Sequence, residues 1–114
     1  MTSTTPERLL LALADSATQV ASLQRQHAEI VAASQDSNAD DEHDPEGATI
    51  AFERQQVLAL LVQARVVQQD VAAALGRWET GGYGACQRCG EQIAAARLEA
   101  RPAARTCLTC ASAR

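Results

Sequence analysis

With 114 residues, a net charge of −4 and three aromatic side chains, the chain has room for one domain or one and a half and lacks a stacking platform for bases. Its basic residues are all arginine, and the acidic balance argues against nucleic acid as the main ligand, because binding there depends on neutralising phosphates. The polar start, Met1–Arg8, does not read as an export signal. No stretch approaches the roughly 20 apolar residues of a membrane span, so a cytoplasmic protein with reduced cysteines and no membrane partner is expected.

The first predicted element is a helix. Thr4 and Glu7 have capping-box spacing around Pro6, a residue suited to a first helical turn. Leu9, Leu13, Ser16, Val20, Leu23, His27 and Ile30 then recur in steps of four and three. From Ser34 to Glu46 the pattern breaks into SQDSNADDEHDPE, with six acids and no arginine. A second helix follows, with Asp44 as a plausible N-cap, Pro45 at the first position and Glu46 near the positive helix end. Ile50, Arg54, Val57, Leu61, Ala64, Gln68, Val71, Leu75 and Trp78 repeat the stepping until Gly81-Gly82. Alternating steps of three and four define a coiled-coil seam.

Two such helices across a polar connection predict a mostly α fold. The arrangement expected is a long antiparallel hairpin over residues 1–80, with an acidic tip at about 36–46. An arm of that length spans roughly 40 Å at 1.5 Å per residue. The same heptads also permit an intermolecular coiled coil or a four-helix dimer, although a monomer is expected. Polar seam residues Ser16, His27, Arg54 and Gln68 lower stability and help to fix register. His27 reads as a packed polar residue and His43 as an exposed one. The acidic run is by default a solvated turn; its alternative role is to carry carboxylates to a cationic surface or a metal ion.

The last 29 residues hold all four cysteines, as Cys86-x-x-Cys89, a 17-residue spacer and Cys107-x-x-Cys110. Each pair brings two thiolates to one ion, and the spacer lets the second pair complete a tetrahedron. Zn2+ suits four sulfur ligands, and a closed shell leaves no place for water or substrate, so a structural role is expected. Two disulfides or an iron site fit the same spacing. Gly90 stands where the knuckle turn needs positive φ. The module, residues 81–114 with a short C-terminal helix, carries Arg88, Arg97, Arg101, Arg105 and Arg114 against Glu91 and Glu99. Contact with hairpin acids or a protein partner is the reading preferred over phosphate binding. No residue arrangement elsewhere suggests an enzyme.

The tail GGYGACQRCGEQIAAARLEARPAARTCLTC resembles the four-cysteine zinc-finger segment of the DksA/TraR family of bacterial transcription regulators. The pattern falls on Gly81 or Gly82, Tyr83, Gly84, Cys86, Cys89, Gly90, Ile93, Arg97, Leu98, Ala100, Pro102, Cys107 and Cys110. The helical hairpin with its acidic, Asp-Pro-containing turn also looks like that family's coiled coil. This resemblance implies direct binding to RNA polymerase, with the coiled coil in the secondary channel and acidic tip residues near the catalytic region. It makes Asp41 and Asp44 the foremost tip acids, followed by Asp40 and Glu42. The chain departs from the family's D-x-x-D-x-A tip, since Glu46 stands where Ala is expected. Aligning on Asp-Pro instead would put Gly47 at the second acid. The direction of regulation is therefore left open. Alternatives are a zinc-stapled adaptor for another protein, or a weak DNA-binding finger.

Overall fold

The computed structural model describes residues 4–36 and 45–113, with the side chains of residue 36 and residues 45–47 left aside. Helix α1 runs Thr5–Asp36 and α2 runs Pro45–Thr80; two short helices follow, α3 at Ala95–Ala100 and α4 at Leu108–Ser112. Among the described residues there is no strand, only an isolated antiparallel bridge between Ala85 and Gln92. The fold is mostly α, as expected. Compared with the break read at Ser34, α1 continues through Asp36. The four acids Asp40, Asp41, Glu42 and Asp44, together with His43 and the C-terminal Arg114, lie outside the described residues.

The start of α1 is set by the capping box. The Glu7 backbone N–H donates to Thr4 Oγ1 and the Thr4 N–H donates to the Glu7 carboxylate, both at 3.4 Å. Two orphan donors of the first turn are thereby satisfied. The end of α2 is set by Gly81 at φ 85°. There the Gly82 N–H donates to Arg77 O at 2.8 Å and the Gly81 N–H to Trp78 O at 3.3 Å, the paired bonds of a Schellman stop.

The chain divides into two compact units, Ser16–Val66 and the combination of Met1–Asp15 with Val67–Arg114. In the first, Val20 and Leu23 of α1 pack with Leu61 and Ala64 of α2, and Val57 lies against them. Earlier residues of α1 meet later residues of α2, so the helices run antiparallel. In the second, Leu9, Val71 and Ala74 are buried, with Ala12, Leu13, Leu75, Tyr83 and Ala103 packed around them. Burying each such leucine stabilises by about 1.5–3 kcal/mol.

The predicted seam is buried or half-buried at every position except Trp78, which is 43% exposed. Ala74, fully buried, holds the core position near that end instead. A straight helix drifts about 20° per heptad against a 3.5-residue repeat, so the buried face moves off the strict seam. Trp78 meets Tyr83 edge-on, with ring centroids 5.4 Å apart at 73°. Ser16 is buried at 6% exposure and is bonded, so this polar seam position costs no orphaned hydroxyl.

One expectation is corrected. The segment Ala48–Thr80 of α2 is long and apolar enough, by length and composition, to cross a membrane, with mean hydropathy 1.3 in its apolar window. Only 22% of that window is buried. Alanine and valine lie all round the helix and raise the mean, although Gln63, Arg65, Gln68, Gln69 and Asp70 interrupt them.

Gly76 within α2 and Gly81 just past its end make a paired test. Gly81 and Gly76 each have open space where a Cβ would stand, but only Gly81 has positive φ. Gly81→Ala is expected to destabilise by about 1 kcal/mol through its left-handed conformation. Gly76→Ala, inside a helix, is expected to stabilise by about 0.5–1 kcal/mol. Urea unfolding of both variants measures the opposite signs.

Candidate metal centre

Two short turns carry the four cysteines. The first opens with Gly84 at φ 89° and closes at Gly90, φ 78°, the left-handed residue expected after the first pair. Between them the Cys86 N–H donates to Glu91 O at 2.8 Å, the Gly90 N–H to Cys86 O at 2.9 Å, and the Ile93 N–H to Gly84 O at 2.7 Å. The second turn begins at Cys107, the N-cap of α4, whose sulfur accepts the Cys110 N–H at 3.4 Å. The Gln87 N–H donates to Arg105 O at 2.8 Å and ties one turn to the other.

These constraints bring the Sγ atoms of Cys86, Cys89, Cys107 and Cys110 within 4.8 Å of one another. Cys89 Sγ and Cys107 Sγ are 3.8 Å apart. A tetrahedron with Zn–S bonds of 2.3 Å has edges of about 3.8 Å. All four cysteines are free. A disulfide needs a sulfur–sulfur distance near 2.05 Å, so the cluster fits an ion and the disulfide alternative loses its footing. Four sulfurs and no other donor fit Zn2+ in a closed structural site.

The protons follow the same geometry. Backbone hydrogen bonds from Cys107, and then from Cys89 and Arg88, lower the Cys86 thiol from 9.0 to about 6, against the upward push of burial. The Arg88 N–H approaches Cys86 Sγ to 3.4 Å. Cys110 is pushed up to about 12, first by its hydrogen bond with the Cys107 thiol and then by burial. Cys89 is also raised overall; the Glu91 backbone lowers it, while the bond to Cys86 and burial push it upward. Thiolates crowded together without a cation oppose one another's ionisation, and a divalent ion removes that opposition.

The remaining motif residues hold the module together. Tyr83 Oη donates to Pro102 O at 2.8 Å, and burial raises its pKa, with Arg8 and Arg77 acting in the opposite direction. Arg97 Nε donates to Thr106 O at 2.9 Å, fixing the approach to Cys107. Ile93 is buried at 5% exposure, and Leu98 Cδ1 lies 3.6 Å from where a Cβ on Gly84 would stand. Arg105 pairs with Asp70 of α2 at 3.9 Å, one instance of a finger arginine meeting a helix acid; both groups are partly exposed, so the pair contributes little. Sequence reading missed two clamps, Arg8 donating to Glu99 O and Arg88 Nη1 to Cys110 O. Neither has a sequence signature, because each joins a side chain to a distant backbone carbonyl.

Four cysteine sulfurs within 4.8 Å of one another, held by two short turns, make a four-cysteine zinc-finger site. Residues 80–114 match the prokaryotic dksA/traR C4-type zinc finger. Over 69 residues the chain is 38% identical to the uncharacterized protein YteA of Bacillus subtilis, covering 60% of this chain and 29% of that protein. Over 46 residues it is 41% identical to the RNA polymerase-binding transcription factor DksA of Haemophilus influenzae, covering 40% of this chain and 32% of that one. The matched stretches thus span about a third of the length of these curated relatives. The structure of transcription factor DksA2 from Pseudomonas aeruginosa superposes with a TM-score of 0.76 at 23% identity, over 94% of this chain and 77% of that one. That likeness is one of fold. Residues 80–114 thus carry a zinc finger of the dksA/traR C4 type.

Loading with Zn2+ is expected to release protons, since most thiols must ionise to bind. Cys86, with its lowered pKa, contributes its stabilisation fully above about 9 and loses it as pH falls through about 6. Zinc affinity is therefore expected to fall as pH falls, because protons compete with the ion for all four thiolates, read with a chromophoric chelator. Cys89→Ser is expected to abolish tight loading while far-UV circular dichroism keeps most of its helical signal. Helices of 32 and 36 residues supply that signal, against 6 and 5 residues in the module.

Proposed function

We propose that this protein is a bacterial transcription regulator that binds RNA polymerase directly. In this reading Cys86, Cys89, Cys107 and Cys110 hold a structural Zn2+. Residues 81–114 form the docking base, and residues 1–80 form a helical arm whose turn, at about 36–46, enters the secondary channel. Asp41 and Asp44 are the leading tip acids, followed by Asp40 and Glu42. Carboxylates delivered near a phosphoryl-transfer centre are hard oxygen groups able to perturb its Mg2+ or its geometry. The protein acts by contact, without turnover, in the cytoplasm, and without reading a DNA sequence.

The observation that carries this proposal is the four-cysteine module with its complete supporting motif, matched over residues 80–114 and 41% identical over 46 residues to a transcription factor whose name states polymerase binding. The long paired helices of a DksA-type fold and the six acids between Ser34 and Glu46 agree with it. The net charge of −4 weighs against a DNA-binding finger.

A photo-crosslinker at residue 44, in the zinc-loaded full chain with purified bacterial polymerase, is expected to capture the polymerase active-centre region. Capture only at the outer rim would remove the channel mechanism, and no capture would remove the partner. Asp41→Asn with Asp44→Asn is expected to abolish the effect on transcription initiation while leaving polymerase binding within about threefold. An unchanged transcriptional effect in that double variant would sink the role of the tip.

A further inference from the structure

The unit Ser16–Val66 is one continuous stretch of chain, whereas the other unit joins Met1–Asp15 to Val67–Arg114 and carries all four cysteines. Ser16–Val66 can therefore open as a loop while the other unit holds its two ends. Closing such a loop costs entropy that grows only with the logarithm of its length, so a folded unit tolerates it.

The two units differ in what holds them. Among the described residues, Ser16–Val66 buries the apolar side chains of Val20, Leu23, Leu61 and Ala64 and the hydroxyl of Ser16. Between Leu23 and Leu61 no described side chain is buried; Ile30, Ile50, Val57 and Leu58 are half-buried. Helical segments released from their packing are marginal in water, so losing those few contacts melts both. The zinc-bearing unit is cross-tied instead. Leu9, Val71 and Ala74 are buried, with Tyr83 and Ala103 against them. Arg8 of α1 donates to Glu99 O of α3, and Tyr83 Oη donates to Pro102 O at 2.8 Å. Metal bound to the four sulfurs favours the folded form of this unit by mass action.

Each helix passes from one apolar cluster to the other across a polar seam residue, Ser16 on α1 and Gln68 on α2. Polar residues at seam positions lower stability, and these two fall where the units divide. We propose that Ser16–Val66 is a separate cooperative unit, which opens with both of its helical segments melting together while the zinc-bearing unit stays folded. The consequence for function rests on the proposed polymerase binding. The stretch that opens includes the turn assigned to the channel, so only the closed fraction is competent, and partner binding is coupled to closure.

The test is hydrogen exchange of the zinc-loaded full chain in low urea, resolved by segment with mass spectrometry. The slowest amides of residues 17–35 and 48–65 are expected to share one opening constant, at least about tenfold larger than that of residues 69–80. Leu23→Ala is expected to raise that constant at least about thirtyfold, or to open the stretch outright, while residues 69–80 and the module change by less than about twofold. A single opening constant for the whole chain would overturn the proposal. Equal acceleration of residues 69–80 by Leu23→Ala, or slower exchange in 17–35 and 48–65 than in 69–80, would overturn it too. Purified polymerase is expected to slow exchange of residues 17–35 and 48–65 at least about tenfold. No slowing beside two distinct opening constants would count against polymerase binding and not against the separate unit.

Discussion

Four thiol groups forced to within 4.8 Å of one another are the constraint on which the C-terminal third of the chain depends. Without a cation, backbone hydrogen bonds lower Cys86 to about 6, while the hydrogen bond with Cys107 and burial push Cys110 up to about 12. With Zn2+ the same crowding becomes attraction. The apparent binding free energy in small zinc fingers, about 10–16 kcal/mol, is comparable to the whole stability of a domain. A module in which, among the described residues, Cys86 and Ile93 are the buried ones and the short helices bury nothing needs such a source.

Around that centre the motif residues act as framework. Gly84 and Gly90 supply the backbone conformations that turn the first pair, Arg97 and Tyr83 hold the carbonyls of Thr106 and Pro102, and Arg105 O receives the N–H of Gln87. The motif residues around the cysteines are therefore explained by folding of the metal site. Arg88, Arg101 and Arg105 are exposed as well, although Arg88 holds Cys110 O and Arg105 pairs with Asp70.

The long helices show a complementary economy. Their buried seam uses small and medium side chains, with Ala64 and Ala74 in the core, so the helices pack closely but remove little apolar area per turn. The alanine and valine composition that makes this possible also leaves apolar residues on faces away from the core. Phe52, Leu60, Val62, Val66 and Val67 are all about half exposed or more. Apolar surface of that extent on a helix is a signal of contact with something else.

Much of this was legible in the sequence because it is local or periodic. Thr4 and Glu7 announced the first cap, Gly81 the end of α2, the two CxxC pairs the metal centre, and steps of three and four all but one of the seam positions. Such features depend on spacing along one helix or within one turn, which a linear sequence records directly. Tertiary structure decided the rest. Ala74 displaced Trp78 from the core because helical drift accumulates over heptads. Arg8 found Glu99 O, and Arg88 found Cys110 O, through folds of chain that no spacing rule relates. The exposure of Phe52, Val62 and Val66 became visible only once α1 had claimed the other face of α2, because periodicity identifies an apolar face and packing alone determines which face is covered.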